Sequence, residues 1–294
     1  MKRITRFLVA AALTAAAVEL QTNPTAAVQP STSRPSQTGY VLKQIPFSAV
    51  HHQQVGAPRI RLRESTSGNW SGYAVPLETS GVTDTFSVVQ GTWTVPTVTG
   101  SRSATYSSTW VGLDGYDSGT VEQIGTEQDW MGRGRQNYAW FEMYPSGAYE
   151  IEGFPVNPGD SISAQVHYLG QRNVQVGRGR SEVESVFQLT IVNTTRNVSY
   201  SVPTSYTTVT SAARASAEWV VEAPSSRKVL PLADFGTVNF SGCEAASVHT
   251  GGILAPIGSW TPDPLTMIDP SGGRSVPSSL SANGEAFSVS WSAK

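Results

Sequence analysis

The stretch Tyr138-Ala139-Trp140-Phe141-Glu142-Met143-Tyr144 decides the fold. Successive side chains of a β-strand point to opposite faces, so this run presents one face of Ala139, Phe141 and Met143 and another of Tyr138, Trp140, Glu142 and Tyr144. A solvated strand also alternates polar with apolar, but it does not set several rings on its wet side. Rings beside a carboxylate mark the floor of a cleft. The rhythm recurs where Glu218, Val220 and Glu222 oppose Trp219 and Val221, and where Trp110 and Asp114 oppose Val111 and Leu113.

Working outward, short β-rich runs punctuated by Gly, Pro, Asn and Ser start at Trp70, Phe86, Ser107, Tyr138, Ser161, Ser185, Val198, Ala217, Gly236 and Ala286. This spacing predicts an all-β domain, a sandwich of two antiparallel sheets, with no long amphipathic helix. His167 falls among Ser161, Ser163 and Gln165 on the polar face of its run and reads as a surface or hydrogen-bonded histidine, not a catalyst.

The N-terminus has a different character. Lys2, Arg3 and Arg6 precede the apolar run from Phe7 to Val18, the order of a secretory signal peptide, which is expected to occupy residues 1–28. Residues 29–65 are rich in Gln, Pro, Thr and Ser and cannot bury enough apolar surface to fold alone; they read as a propeptide or disordered leader. His51 and His52 lie there and are poor candidates for a catalytic base. The β-sandwich is expected over residues 66–294, and the mature protein is expected to be secreted, extracellular and monomeric, with no membrane contact once the signal is gone.

The net charge of −2 and only four lysines give no reason to expect nucleic acid. The single cysteine, Cys243, excludes an intramolecular disulfide and reads as a small buried hydrophobe. Nucleophilic triads find no support, because His167 and His249 are the histidines of the folded part and no GxSxG elbow is present. No HExxH or clustered ligand set is present either, so no metal and no cofactor is expected. Carboxylates remain as the acid–base groups, and a hydrolase run on them works best in acid.

The ordered motifs NWSGYAV, VQGTWTVP, WVGLDGY, VEQIG, YAWFEMYP, AEWVVE and LADFGTVNF, spread over Gly68 to Phe240, resemble the glutamic peptidases, also called eqolisins. The resemblance implies a secreted, pepstatin-insensitive acid endopeptidase whose concave sheet binds a protein or peptide substrate and whose catalysis rests on a Gln and Glu pair. Carried over motif by motif, it gives Gln123 in VEQIG and Glu222 closing AEWVVE as the pair. Trp110, Asp114 and Glu142 fall where the family places supporting cleft residues. The paired cysteines of fungal members are missing here. In the implied chemistry Glu222 acts as general base and then acid on an attacking water, and Gln123 orients that water and stabilises the oxyanion. Trp110, Tyr138 and Trp140 wall the cleft, and Asp114 or Glu142 tunes the pair's protonation. Glu218 shares parity with Glu222 and is a candidate support, whereas Glu122 must point away from the face that carries Gln123.

Two other readings compete. One is a glycoside hydrolase using Glu142 and Glu222 with Trp140 stacked on sugar; the other is a non-catalytic carbohydrate-binding sandwich.

Overall fold

The structure, a computed structural model, describes residues 39–46, 66–77, 84–268, 270 and 272–293. The expected signal segment, most of the leader, and His51 and His52 lie outside these residues.

Strands β1 (Val41–Gln44), β2 (Thr66–Ser67), β3 (Trp70–Pro76), β4 (Phe86–Thr94), β5 (Ala104–Thr105), β6 (Ser108–Leu113) and β7 (Val121–Met131) come first. They are followed by β8 (Arg135–Tyr144), β9 (Tyr149–Glu152), β10 (Ser161–Gly177), β11 (Arg180–Asn193), β12 (Val198–Ser201), β13 (Thr208–Thr210) and β14 (Ser216–Glu222). The last are β15 (Thr237–Ser247), β16 (Ala255–Pro256), β17 (Asp263–Ile268), β18 (Arg274–Pro277) and β19 (Phe287–Ser292), with one helical turn at Ile257–Ser259.

One sheet runs β1-β9-β8-β7-β6-β14-β3-β17. The other runs β11-β10-β4-β15-β19-β18-β17, with β12 and β13 on the outer side of β11. Strand β17 belongs to both, pairing β3 through Asp263–Leu265 and β18 through Met267 and Ile268. All these ladders are antiparallel; the short β2 runs parallel to β17. The architecture is the expected all-β sandwich.

Its core lies between the sheets. Val111, Leu113, Ile124, Ala139, Phe141, Met143, Trp219 and Val221 face inward from the first sheet, and Val89, Trp93, Ile162, Val166, Phe187, Leu189 and Phe240 from the second. Two indoles tie the layers: Trp93 donates to the Thr126 hydroxyl at 2.9 Å and Trp219 to the Gln90 carbonyl at 2.7 Å. Cys243 is fully buried, as expected, and burial pushes its thiol pKa up.

The first sheet's other face carries a second apolar cluster of Trp70, Ala74, Trp110, Tyr116, Trp140, Ala148, Val220 and Leu265, joined by Ile45 and flanked by Tyr138. The two-residue rhythm thus sorts Trp140 from Phe141 as the sequence predicts. Transverse rows follow from the registers. Glu218, Gly112, Gln123 and Glu142 form one row; Val220, Trp110, Gly125 and Trp140 the next; Glu222, Ser108, Glu127 and Tyr138 the third.

Gly125 sits in the middle of this face because nothing larger fits. A Cβ there would lie 2.4 Å from the Thr109 carbonyl oxygen and 2.5 Å from Trp110 Cβ, both on a neighbouring strand. Gly125→Ala is therefore expected to cost about 3 kcal/mol, the scale of forced overpacking, read as a lower denaturant midpoint at unchanged slope.

One leader segment is ordered. Val41–Gln44 forms an edge strand on β9, which needs no core of its own because the existing sheet supplies the hydrogen bonds.

Candidate active site

Strand β14 places Glu222 and strand β7 places Gln123 on the same face, with β6 between them. Both side chains are fully buried. Glu222 accepts from the Trp110 indole N–H at 2.8 Å on one oxygen and from the Asn69 amide at 3.1 Å on the other. Asn69 is held by the turn before β3, where Ser67 Oγ accepts from the backbone N–H of Asn69 at 3.3 Å and of Trp70 at 3.0 Å. Burial drives the Glu222 pKa well above the ordinary carboxylate range, the Trp110 bond opposes it, and the neighbouring Glu142 charge raises it further.

Gln123 donates its amide N–H to Glu142 Oε2 at 3.0 Å, across the β7–β8 ladder where the two residues face each other. That bond fixes the amide in the row it shares with Glu142. Burial pushes the Glu142 carboxyl up to about 8, with Gln123 pulling the other way. Glu142 is thus neutral throughout the acid range.

Below this row the rhythm of β7 continues through Glu127 and Asp129, two buried carboxyls on the same face. Burial and the Asp129 charge send Glu127 well above its ordinary value, and burial raises Asp129 to about 7. Their charge in turn helps to keep the phenol of the half-buried Tyr138 protonated, although burial is the larger cause. Trp140 donates its indole N–H to the Ser108 hydroxyl at 3.0 Å, and Trp70 meets Trp110 edge-on at 4.9 Å between ring centroids.

Of the residues singled out in the sequence, Gln123 and Glu142 touch, as do Glu222 and Trp110, and Trp140 lies with Trp110 in the apolar cluster. Tyr138 flanks that cluster. Glu218 lies in the Gln123 row beyond Gly112; burial, then the Asp114 charge, raises its pKa.

Asp114 does something other than sit in the cleft. It lies past the end of β6 at φ +69°, and its carboxylate accepts from the backbone N–H groups of Arg214 (2.7 Å) and Ala215 (2.9 Å) and from the Thr120 hydroxyl (3.3 Å). It anchors the loop that leads into β14 and so positions Glu222 from a distance. Glu122 points away from Gln123, as parity requires, and its burial beside Asp114 raises its pKa.

Sequence reasoning missed Asn69, Ser108, Glu127 and Asp129. The motif NWSGYAV contained Asn69 without assigning it a role. Counting in twos from Gln123 would have put Gly125, Glu127 and Asp129 on the same face. His167 is half-buried on β10 and His249 is exposed in a turn, its backbone N–H on Asp84; both belong to the second sheet or its loops.

The arrangement is one of buried carboxyls, an amide and indole donors on one aromatic face, and the model of the peptidase A4 family matches residues 68–291 of the chain. The chain belongs to the peptidase A4 family. This peptidase is 28% identical over 250 residues to aspergillopepsin-2 of Aspergillus niger, covering 78% of this chain and 79% of that one. It is 30% identical over 125 residues to scytalidopepsin B of Scytalidium lignicola, a match spanning 42% of this chain and 41% of the relative.

Among solved structures, scytalido-glutamic peptidase with a transition-state-analogue inhibitor aligns over 76% of this chain and 98% of its own at a TM-score of 0.57 and 22% identity. A member of the eqolisin family in complex with the tripeptide Ala-Ile-His aligns over the same shares at 0.53 and 22%. These likenesses establish the sandwich fold. With the family comes the enzyme class, a hydrolase of the glutamic endopeptidase type.

Proposed function

We propose that this peptidase cleaves peptide bonds in acid through Glu222 and Gln123, and that its N-terminal signal sends it out of the cell. The observation that carries the reading is the pairing of two held groups on one face: Glu222 gripped by Trp110 and Asn69, and Gln123 gripped by Glu142.

A carboxylate raised by burial exchanges protons readily in acid, so Glu222 takes a proton from water as the oxygen attacks the scissile carbonyl. It returns that proton to the leaving nitrogen. The Trp110 and Asn69 donors stabilise the anionic form that the first step needs. Glu142, protonated in acid, adds no second negative charge beside it. The Gln123 amide exchanges no proton at these pH values; it orients the water and donates to the developing oxyanion. Tyr138, Trp140 and Trp110 offer apolar walls to substrate side chains.

The test is acid hydrolysis of a denatured protein with pepstatin present. Gln123→Ala is expected to lower the rate on the order of a hundredfold to a thousandfold, the scale of one lost oxyanion donor, while circular dichroism stays unchanged. A glycosidase working through Glu142 and Glu222 would not need Gln123, so an unaltered rate in this variant overturns the reading.

A further inference from the structure

The aromatic face continues past Glu222 into a fourth row. Thr105 pairs with Trp130, and Ser107 exchanges backbone hydrogen bonds with Gln128, so Tyr106 between them lies opposite Asp129, which in turn faces Gln136. By the alternation of β7, Asp129 shares its side of the sheet with Gln123 and Glu127. The chain that leaves Glu222 returns to the same place. Ser226 and Leu230 lie on the loop after β14, which Tyr106 ties down by donating its N–H to the Pro231 carbonyl at 2.9 Å.

Tyr106, Asp129, Gln136, Tyr138, Ser226 and Leu230 line a cavity of about 390 Å³, large enough for any amino-acid side chain. A further wall comes from the leader and β9, where Lys43 and Glu150 form an ion pair of 3.7 Å. Asp129 is only 3% exposed, and its buried Oδ1 accepts no hydrogen bond. Buried polar atoms ordinarily have partners, and a cavity beside one that lacks it is where a ligand group can supply one.

The charge state of the walls narrows what that group can be. Burial raises the Asp129 carboxyl to about 7, so in acid it is neutral, with an O–H to donate and a carbonyl oxygen to accept. Burial likewise raises Glu127 on the same strand, Glu222 beside it, and the phenols of Tyr106 and Tyr138. The Gln136 amide and the Ser226 hydroxyl carry no charge. Lys43 already meets the charge of Glu150. In acid the cavity is therefore polar but uncharged.

We propose that this cavity is a specificity subsite for an amide side chain, glutamine or asparagine, of the peptide substrate, with Asp129 as the residue that reads it. The proposal deepens the peptidase reading and rests on it. A protonated carboxyl and a primary amide are complementary: the acid O–H donates to the amide carbonyl while the amide N–H donates to the acid's other oxygen. Arginine or lysine would bring only donors and a charge into a desolvated space, and leucine would leave Asp129 Oδ1 unmet. A site that hydrogen-bonds its substrate rejects an analogue lacking the group more strongly than an apolar pocket rejects a change of size.

The experiment compares peptides of one frame carrying Gln, Leu or Arg in turn at each place flanking the cleaved bond, assayed in acid with pepstatin. At one of these places kcat/KM for Gln is expected to exceed that for Leu and for Arg by about tenfold or more. Asp129→Leu should bring the ratio of Gln to Leu within about twofold of unity, whereas Asp129→Asn, which keeps a donor and an acceptor, should retain most of the preference. A ratio of two peptides on one enzyme does not depend on how much of it is folded, so a destabilised variant still reports.

No preference for Gln at any place, a preference for Arg, a Gln preference that survives Asp129→Leu, or its loss in Asp129→Asn overturns the proposal. Turnover without a Gln preference sinks the subsite alone. Where the parent chain turns over none of the peptides, their fluorescently labelled forms are titrated onto it instead. Tighter binding of the Gln peptide that disappears in Asp129→Leu then keeps the subsite and removes the peptidase reading; equal binding of the Gln and Leu peptides, or none, removes the subsite as well.

Discussion

Glu222→Gln is expected to lower kcat for acid peptide hydrolysis by about a thousandfold while KM moves little, because the loss falls on proton transfer and not on binding. The residue is buried and its two oxygens accept from Asn69 and Trp110, so an amide of the same shape keeps the packing and one of the two bonds. What disappears is the capacity to accept a proton from water and to give it back. Folding should be nearly untouched, since Asn69 can turn its own amide over to meet the new one, at the cost of a hydrogen bond worth about 1 kcal/mol. The assay is steady-state cleavage of a short peptide across pH 2 to 6. A variant retaining more than a tenth of the parent rate would remove Glu222 from the chemistry.

The second large effect is on stability against pH. Glu122, Glu127, Glu142, Glu218, Glu222 and Asp129 are all buried on or beside one sheet, and burial is the largest cause raising each pKa. Among the described residues no lysine or arginine is buried with them. A carboxyl whose native pKa exceeds its unfolded value favours the fold fully below the unfolded value, near 4, and that contribution is lost as pH climbs to the native value. For Glu142, at about 8 in the native state, the loss by pH 8 amounts to about 5 kcal/mol. Whole domains hold together by only about 5–15 kcal/mol, so two or three such groups suffice to unfold the molecule.

The melting temperature is therefore expected to fall steadily from pH 5 to 8, with the native state lost near or just above neutrality. Glu142→Gln should flatten part of that descent, since an amide in its place has no proton to lose. A melting temperature level over this range would mean that the buried carboxyls find compensation in the native state.

The strands around the site differed in how openly the sequence declared them. β8 could be read residue by residue because one of its faces meets the sandwich core and the other the cleft, which writes a period of two into the residue types. β7 hides this. Glu122, Gln123, Thr126, Glu127, Gln128 and Asp129 are polar and yet all buried, so the strand lacks the amphipathic pattern that would betray it, and only its motif drew notice.

Long-range partners were less accessible still. Asn69 reaches Glu222 across 153 positions of chain, and nothing local to Asn69 announces that contact. Asp114 was assigned to the cleft by extending the alternation of Trp110; the left-handed backbone at Asp114 ends the strand and sends its carboxylate to Arg214 and Ala215 instead. The leader strand was invisible for a related reason. Val41–Gln44 has no pattern that demands pairing, and its order comes from the edge it joins.

Strand β17 gives the cleft a built-in asymmetry. Sharing its residues between β3 and β18, it works as the spine of a book, so the flank beside Glu222 cannot spread without bending the opposite layer. The far flank, where the short β1 ends the sheet on β9, shows no such shared strand among the described residues. Whatever breathing admits a polypeptide and releases its fragments should be concentrated on that free margin, with the Glu222 side standing still as a fixed jaw.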